Sequence, residues 1–170
     1  MPGSLENIWA PWRIPYIQGL EKSSGCFICD DAADARADAS NLVLWRSENS
    51  IVVLNRFPYN NGHLLIAPKR HIADLEDAST AELLELMELV RESKKLLTAA
   101  INPHGFNVGI NLGRCAGAGL PDHFHIHVVP RWNGDTNFMS VCSDTKVISQ
   151  SMSELLELLK KISAERKLPQ

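Results

Sequence analysis

Three histidines, His123, His125 and His127, alternate with apolar residues in DHFHIHVVPR. Side chains alternate faces along a β-strand, so the spacing predicts three imidazoles on one side and Phe124, Ile126 and Val128 on the other. Alternate residues stand about 6.6 to 6.8 Å apart on a strand, which puts the outer two histidines roughly 13 Å apart at the backbone. All three cannot share one metal ion. Two neighbours could, and the third ring would then have separate work. Imidazole titrates near neutrality without perturbation, so a row of them can supply nucleophile, acid and hydrogen-bond donor together. A lone histidine on a strand reads most simply as a solvated polar residue; three in register beside a glycine-rich loop read as chemistry. A second group is Cys26 and Cys29, whose Cys-x-x-Cys spacing lets two thiolates meet one tetrahedral zinc but leaves that site two ligands short. Free thiols in a core, or a redox pair, are the alternatives, and no thioredoxin-like βαβ pattern follows them. Cys115 and Cys142 are left without a role.

The row has to be held by a sheet, and the surrounding chain supplies strands in groups. Ile51 to Asn55 and His63 to Ala67 are short apolar runs separated by RFPYNNG, whose Pro, Asn and Gly residues suit a turn between antiparallel strands. Phe106 to Leu112 reads as a further strand, the loop GRCAGAG follows, and His123 to Val129 completes the set. From Ser79 to about Ala100, Leu83, Leu84, Leu86, Met87, Val90, Leu96 and Leu97 recur near helical spacing, with Ser79 as N-cap and Glu82 three residues on. A final helix spans roughly Ser153 to Glu165, with Leu155, Leu156, Leu158, Leu159 and Ile162 on its apolar side. Asp30 to Ser40, small, polar and aperiodic, reads as an exposed, mobile loop. Strands that come in groups rather than alternating with helices favour an α+β fold with a mostly antiparallel sheet.

Composition narrows the function. A chain of 170 residues with 45% hydrophobic and 22% charged residues is an ordinary globular sequence, and its length suits a single domain over 1–170. A formal net charge of -3 leaves no broad basic surface for a polynucleotide, although a small anionic ligand needs only a few local donors. No run of about 18 apolar residues occurs and the N-terminus MPGSLENIWAPWR lacks a secretory pattern, so no membrane partner, a cytoplasmic location and reduced cysteines are expected.

The segment Asn111 to Arg131 resembles the signature of the histidine triad (HIT) superfamily of nucleotide hydrolases and transferases. His123, Phe124, His125, Ile126, His127, Val128 and Val129 match its pattern at every position. LNRFPYNNGHLLIAPKRH at 54 to 71 resembles the family's first hairpin, and WRSENSIVVL its opening strands. GFNVGINLGRCAGAGLPDHFHIHVVPRWNGDTNFM, with IWAPWR near the N-terminus, is most similar to the bacterial branch acting on diadenosine tetraphosphate, phosphorylases included. Gly119 departs from relatives that carry Gln or Ser there, and offers only a backbone N–H. The resemblance implies a five-stranded, mostly antiparallel sheet carrying the long helix and the C-terminal helix, with residues 1–41 as an N-terminal extension bearing the cysteine pair.

It also implies roles. His125 would attack the α-phosphorus of a mononucleotide or dinucleoside polyphosphate substrate and form a nucleotidyl-histidine intermediate, released by water or phosphate. A backbone carbonyl would fix the His125 tautomer, expected near Asn111 to Gly113. His127 would donate to the phosphate oxygens, Gly117 and Gly119 would let the loop approach them, His63 would stand near the nucleophile, and Asn55 would lie at the ribose side. Trp132 and Asn137 would help enclose the substrate. His71 and His123 would complete a structural zinc site with Cys26 and Cys29, since four protein ligands leave no position open for water; no organic cofactor is implied. Family members are commonly homodimers. A nucleoside phosphoramidate or adenylylated-substrate hydrolase would use the same residues, and a noncatalytic nucleotide-binding protein would keep the pocket. A metal-dependent β-barrel enzyme with His-x-His ligands lacks an evident carboxylate ligand.

Overall fold

The computed structural model of the protein describes residues 25–135, 148 and 150–169. Its elements in chain order are α1 (Phe27–Ala33), β1 (Val43–Arg46), β2 (Ser50–Leu54), β3 (Leu64–Pro68), α2 (Thr80–Ile101), β4 (Gly105–Ile110), β5 (Ile126–Arg131) and α3 (Met152–Glu165). The five strands form one antiparallel sheet in the order β1-β2-β3-β5-β4. The α+β expectation holds, with element ends within a few residues of those read from sequence.

Both faces of the central strands are covered, which is why β2 and β3 read as unbroken apolar runs. Val52, Leu54, Leu64, Ile66, Ile126 and Val128 meet Leu86, Leu89, Leu96 and Leu97 of α2 and Leu155, Leu156 and Leu159 of α3 in one core. Phe124 joins them, as the alternation with the histidines requires. Their neighbours on the opposite face, Val43, Ile51, Val53, Leu65 and Ala67, pack against Ile28 of α1. His127 pairs with Leu65 on one side and Gly109 on the other, and directly opposed residues share a face. The histidine therefore points away from α2 and α3.

The helices begin where capping chemistry starts them. Ser79 accepts from the Glu82 N–H while the Glu82 carboxylate accepts from the Ser79 N–H, a full capping box, and Arg70 clamps the same carboxylate at 2.8 Å. That ion pair holds the Glu82 carboxyl down at about 2, with the Ser79 N–H as the next cause. Leu84 and Met87, on the apolar pattern of α2, face outward instead, at 62% and 58% exposure. Ser151 caps α3, whose Ser163 hydroxyl accepts from the buried Trp45 indole at 2.9 Å. The turn between β2 and β3 needs Gly62: its φ is +75°, and a Cβ there would lie 2.7 Å from Ile101 Cδ1.

Two expectations change. Asp30 to Ser40, read as a mobile exposed loop, instead continues helix α1 to Ala33 and then forms a single 3-10 turn at Ala35–Ala37. Asp31 in it is buried. Ile28 anchors the helix in the sheet, and the Arg46 guanidinium donates to the Asp31 and Ala32 carbonyls and to Asp38, contacts that local composition does not reveal. The strand expected from His123 starts only at Ile126, so His123 and His125 lie just beyond the regular ladder.

Candidate active site and adjoining metal cluster

Four imidazoles are placed by different elements. His63 ends the turn before β3, His127 lies inside β5, and His123 and His125 stand on the irregular approach to β5. His125 is buried, 6% exposed, and its Nδ1 stands 3.0 Å from the His123 carbonyl. A carbonyl only accepts, so Nδ1 carries the proton and the lone pair is on Nε2. The fixing carbonyl is therefore that of His123, not one from Asn111 to Gly113: the ring folds back on the backbone two residues earlier, a reach that residue types alone do not disclose. Burial pushes the His125 pKa below the ordinary imidazole value, partly countered by this hydrogen bond. The neutral ring is favoured.

A second chain of hydrogen bonds sets the proton on His127. The Tyr59 backbone N–H donates to His63 Nδ1 at 3.0 Å, and a backbone N–H can only donate. Asn55 reinforces it: its Oδ1 accepts from the Phe57 N–H at 2.9 Å, which turns Nδ2 toward His63 Nδ1 at 3.2 Å. Neutral His63 thus carries its proton on Nε2, 3.0 Å from His127 Nδ1. His127 accepts there and holds its own proton on Nε2; the Asn111 amide, whose Nδ2 stands 3.4 Å from that atom, meets the proton as an acceptor only with its oxygen turned to face the ring. The Tyr59 ring stacks over both, with centroids 4.8 Å from His63 and 5.7 Å from His127. His125 and His127 meet edge to face at 4.9 Å. One ring offers a lone pair beside another that offers a proton.

The loop carrying Gly117 and Gly119 runs from β4 to Leu120, which packs beside Ile28. Gly117 takes a left-handed conformation at φ 83°, open to glycine without strain. Gly119 is half buried in the same loop. Trp132 lies past the far end of β5 from His125, where its indole N–H donates to the Asn102 carbonyl just after α2. Asn137 and Cys142 lie outside the described residues. Tyr59 was not singled out in the sequence, where it is one residue of a turn. Its place four residues before His63 was the only signal.

Beside this site Cys26, Cys29, His71 and His123 bring one donor atom each to within 4.8 Å of all the others. Cys26 Sγ and His123 Nδ1 are 3.1 Å apart, Cys29 Sγ and His71 Nδ1 3.3 Å, and the two Nδ1 atoms 3.2 Å. Donors around a tetrahedral zinc, with bonds of about 2.0–2.3 Å, stand roughly 3.3–3.8 Å apart. His123 Nε2 donates to the Pro68 carbonyl at 2.8 Å, turning the Nδ1 lone pair to the cluster in the way that orients metal-binding histidines. Burial and the adjacent Cys26 push the Cys29 thiol up to about 11, so two thiolates here need a cation between them. Burial likewise lowers His123, favouring the neutral ring that a metal needs. The four residues fit a metal ion.

Comparison with known proteins agrees with this arrangement. The HIT domain family matches residues 36–134. The chain belongs to the HIT domain family. It is 37% identical to an AP-4-A phosphorylase of Mycobacterium tuberculosis over 161 residues, 91% of this chain and 83% of that one. It is 32% identical to a bis(5'-nucleosyl)-tetraphosphatase (asymmetrical) of Schizosaccharomyces pombe over 93 residues, 55% of this chain and 50% of that one. The HIT fold is also that of a zinc-bound histidine triad family protein from Mycobacterium smegmatis, with a TM-score of 0.66, 23% identity, and coverage of 84% of this chain and 96% of that one. Among the described residues no helix is long and apolar enough to cross a membrane.

Proposed function

We propose that this HIT protein is a nucleotidyltransferase acting at the α-phosphate of dinucleoside polyphosphates such as diadenosine tetraphosphate, through a covalent intermediate on His125. The observation that carries the reading is the pair of opposed tautomers: Nδ1–H of His125 is committed to the His123 carbonyl, while His63 commits His127 to carry its proton on Nε2. The Nε2 lone pair of His125 forms the N–P bond, and the bond from phosphorus to the bridging oxygen breaks. His127 Nε2–H donates to the phosphate oxygens, where charge develops. Water or inorganic phosphate then attacks the same phosphorus and the N–P bond breaks, freeing the imidazole.

His63 acts in this reading through His127 and does not touch the phosphate. Asn55 keeps one further N–H and one further lone pair beyond its bonds to His63 and Phe57, which suits a ribose hydroxyl. Asn111, 3.4 Å from His127, faces the same phosphate in this reading, as does the backbone N–H at Gly119; the Gly117 N–H donates to the Arg114 carbonyl at 3.0 Å, so Gly117 contributes its left-handed turn and not a donor. The metal is zinc and its role structural: four protein donors leave no position for water, and bound there it would tie α1 to the approach of β5. A cytoplasmic homodimer completes the reading, with the exposed Leu84 and Met87 of α2 and Val108 of the edge strand β4 as the apolar residues a second copy would cover.

Incubation with diadenosine tetraphosphate, with and without phosphate, tests the proposal. The M. tuberculosis relative favours phosphorolysis, so ADP formed only when phosphate is present is expected. AMP plus ATP would instead mean hydrolysis by water, and absence of turnover would leave a nucleotide-binding protein.

A further inference from the structure

The peptide that orients His125 adjoins the group Cys26, Cys29, His71 and His123. His123 and His125 precede the first ladder pairs of β5, Ile66 with Ile126 and Ile110 with Ile126, so no strand pairing holds their backbone. Other contacts do. The carbonyl of His123 and the N–H of Phe124 belong to one planar peptide and point in opposite directions. The N–H side donates to the Ile72 carbonyl at 2.9 Å, and the carbonyl side accepts from His125 Nδ1 at 3.0 Å. Ile72 follows His71, and the Cα that enters the peptide is that of His123. Two of the four cluster residues therefore bracket the peptide whose oxygen sets the His125 tautomer.

We infer that His123 is a positioning residue for His125, and that a metal bound by Cys26, Cys29, His71 and His123 sets the tautomer of His125 without touching the substrate. The inference rests on reading His125 as the nucleophile, but its physical content does not depend on that. With the cluster filled, the His123 ring would be held at Nδ1 by the metal as well as at Nε2 by Pro68, and its carbonyl would keep one direction. With the cluster empty, no ion would tie the His123 ring to Cys26, Cys29 and His71. The His71 to Ile72 segment and the 123–124 peptide then lose their common anchor, and Nδ1 of His125 loses its fixed acceptor.

Nitrogen-15 spectra of histidine-labelled full-length protein read the tautomer directly, at one fixed pH and with no substrate present. In the zinc-loaded protein His125 is expected entirely as the Nδ1–H form. After chelation, with folding followed by backbone amide shifts of β2 and β3, the preference for that form should fall by about 2- to 13-fold, the equivalent of one lost hydrogen bond. A second arm changes only the exposed ligand, His71→Ala, and should show a shift in the same direction even if full chelation unfolds α1. Readdition of zinc should restore the wild-type signal. An unchanged Nδ1–H signal in chelated, folded protein or in zinc-depleted His71→Ala would overturn the inference. That result would leave the nucleophile assignment standing, since turnover by His125→Ala is what decides that.

Discussion

Replacing His63 with Ala isolates the contact that sets the proton on His127. The ring is fully buried and its Nε2 lies 3.0 Å from His127 Nδ1. A hydrogen bond of this kind contributes about 0.5–1.5 kcal/mol net, so its loss should lower the share of the donating His127 tautomer by about 2- to 13-fold. Single-turnover cleavage of diadenosine tetraphosphate should slow by the same factor, with little change in KM, because the affected hydrogen bond strengthens as charge develops on phosphate. Removal of the donor itself, His127→Ala, should cost about 10²- to 10³-fold. The double variant decides between a relay and two independent roles. If His63 acts through His127, then His63→Ala costs nothing further once His127 is gone. His63→Gln, whose amide can donate where the ring did, should recover part of the loss. Thermal unfolding of each variant separates the cavity left in the core from the effect on rate. Equal, multiplicative losses in the wild-type and His127→Ala backgrounds would refute the relay.

Three further outcomes are expected. His125→Ala should reduce turnover to background while leaving the thermal unfolding transition in place; near-normal activity would exclude the covalent route. Cys26→Ser should lose zinc by elemental analysis together with thermal stability, and unchanged metal content would rule out the ligand set. Glu82 has a folded pKa of about 2 against an ordinary 4.5, so its contribution is fully present above about pH 4.5 and is lost as pH falls toward 2. Glu82→Gln should therefore be less stable than the parent near neutrality and should lose less stability on acidification through that window. Parallel stability-versus-pH curves would show that the capping box and the Arg70 pair contribute nothing to acid sensitivity.

Much of this protein was legible in its residues. Short apolar runs, the alternation around the histidines and period-3.6 hydrophobicity located β2 to β5 and both long helices, because burial selects residue type directly; β1 was legible only through the family resemblance. The capping pair Ser79 and Glu82 and the turn glycine Gly62 were readable because their side chains, or the lack of one, do the work. The histidine row likewise specified which imidazoles share a face, since alternation on an extended chain is local geometry. The segment Asp30 to Ser40 was misread: α1 holds its place through Ile28 on the sheet and through Arg46 on its carbonyls, partners distant in the chain.

What tertiary structure alone decided is where the protons sit. His127 takes its proton position from His63, 64 residues away, and His63 takes its own from a backbone N–H in a turn. His125 answers to the carbonyl of His123, and His123 to that of Pro68, 55 residues earlier. Backbone donors and acceptors carry no residue identity, so sequence could name the rings that do chemistry but not which nitrogen of each is free to do it.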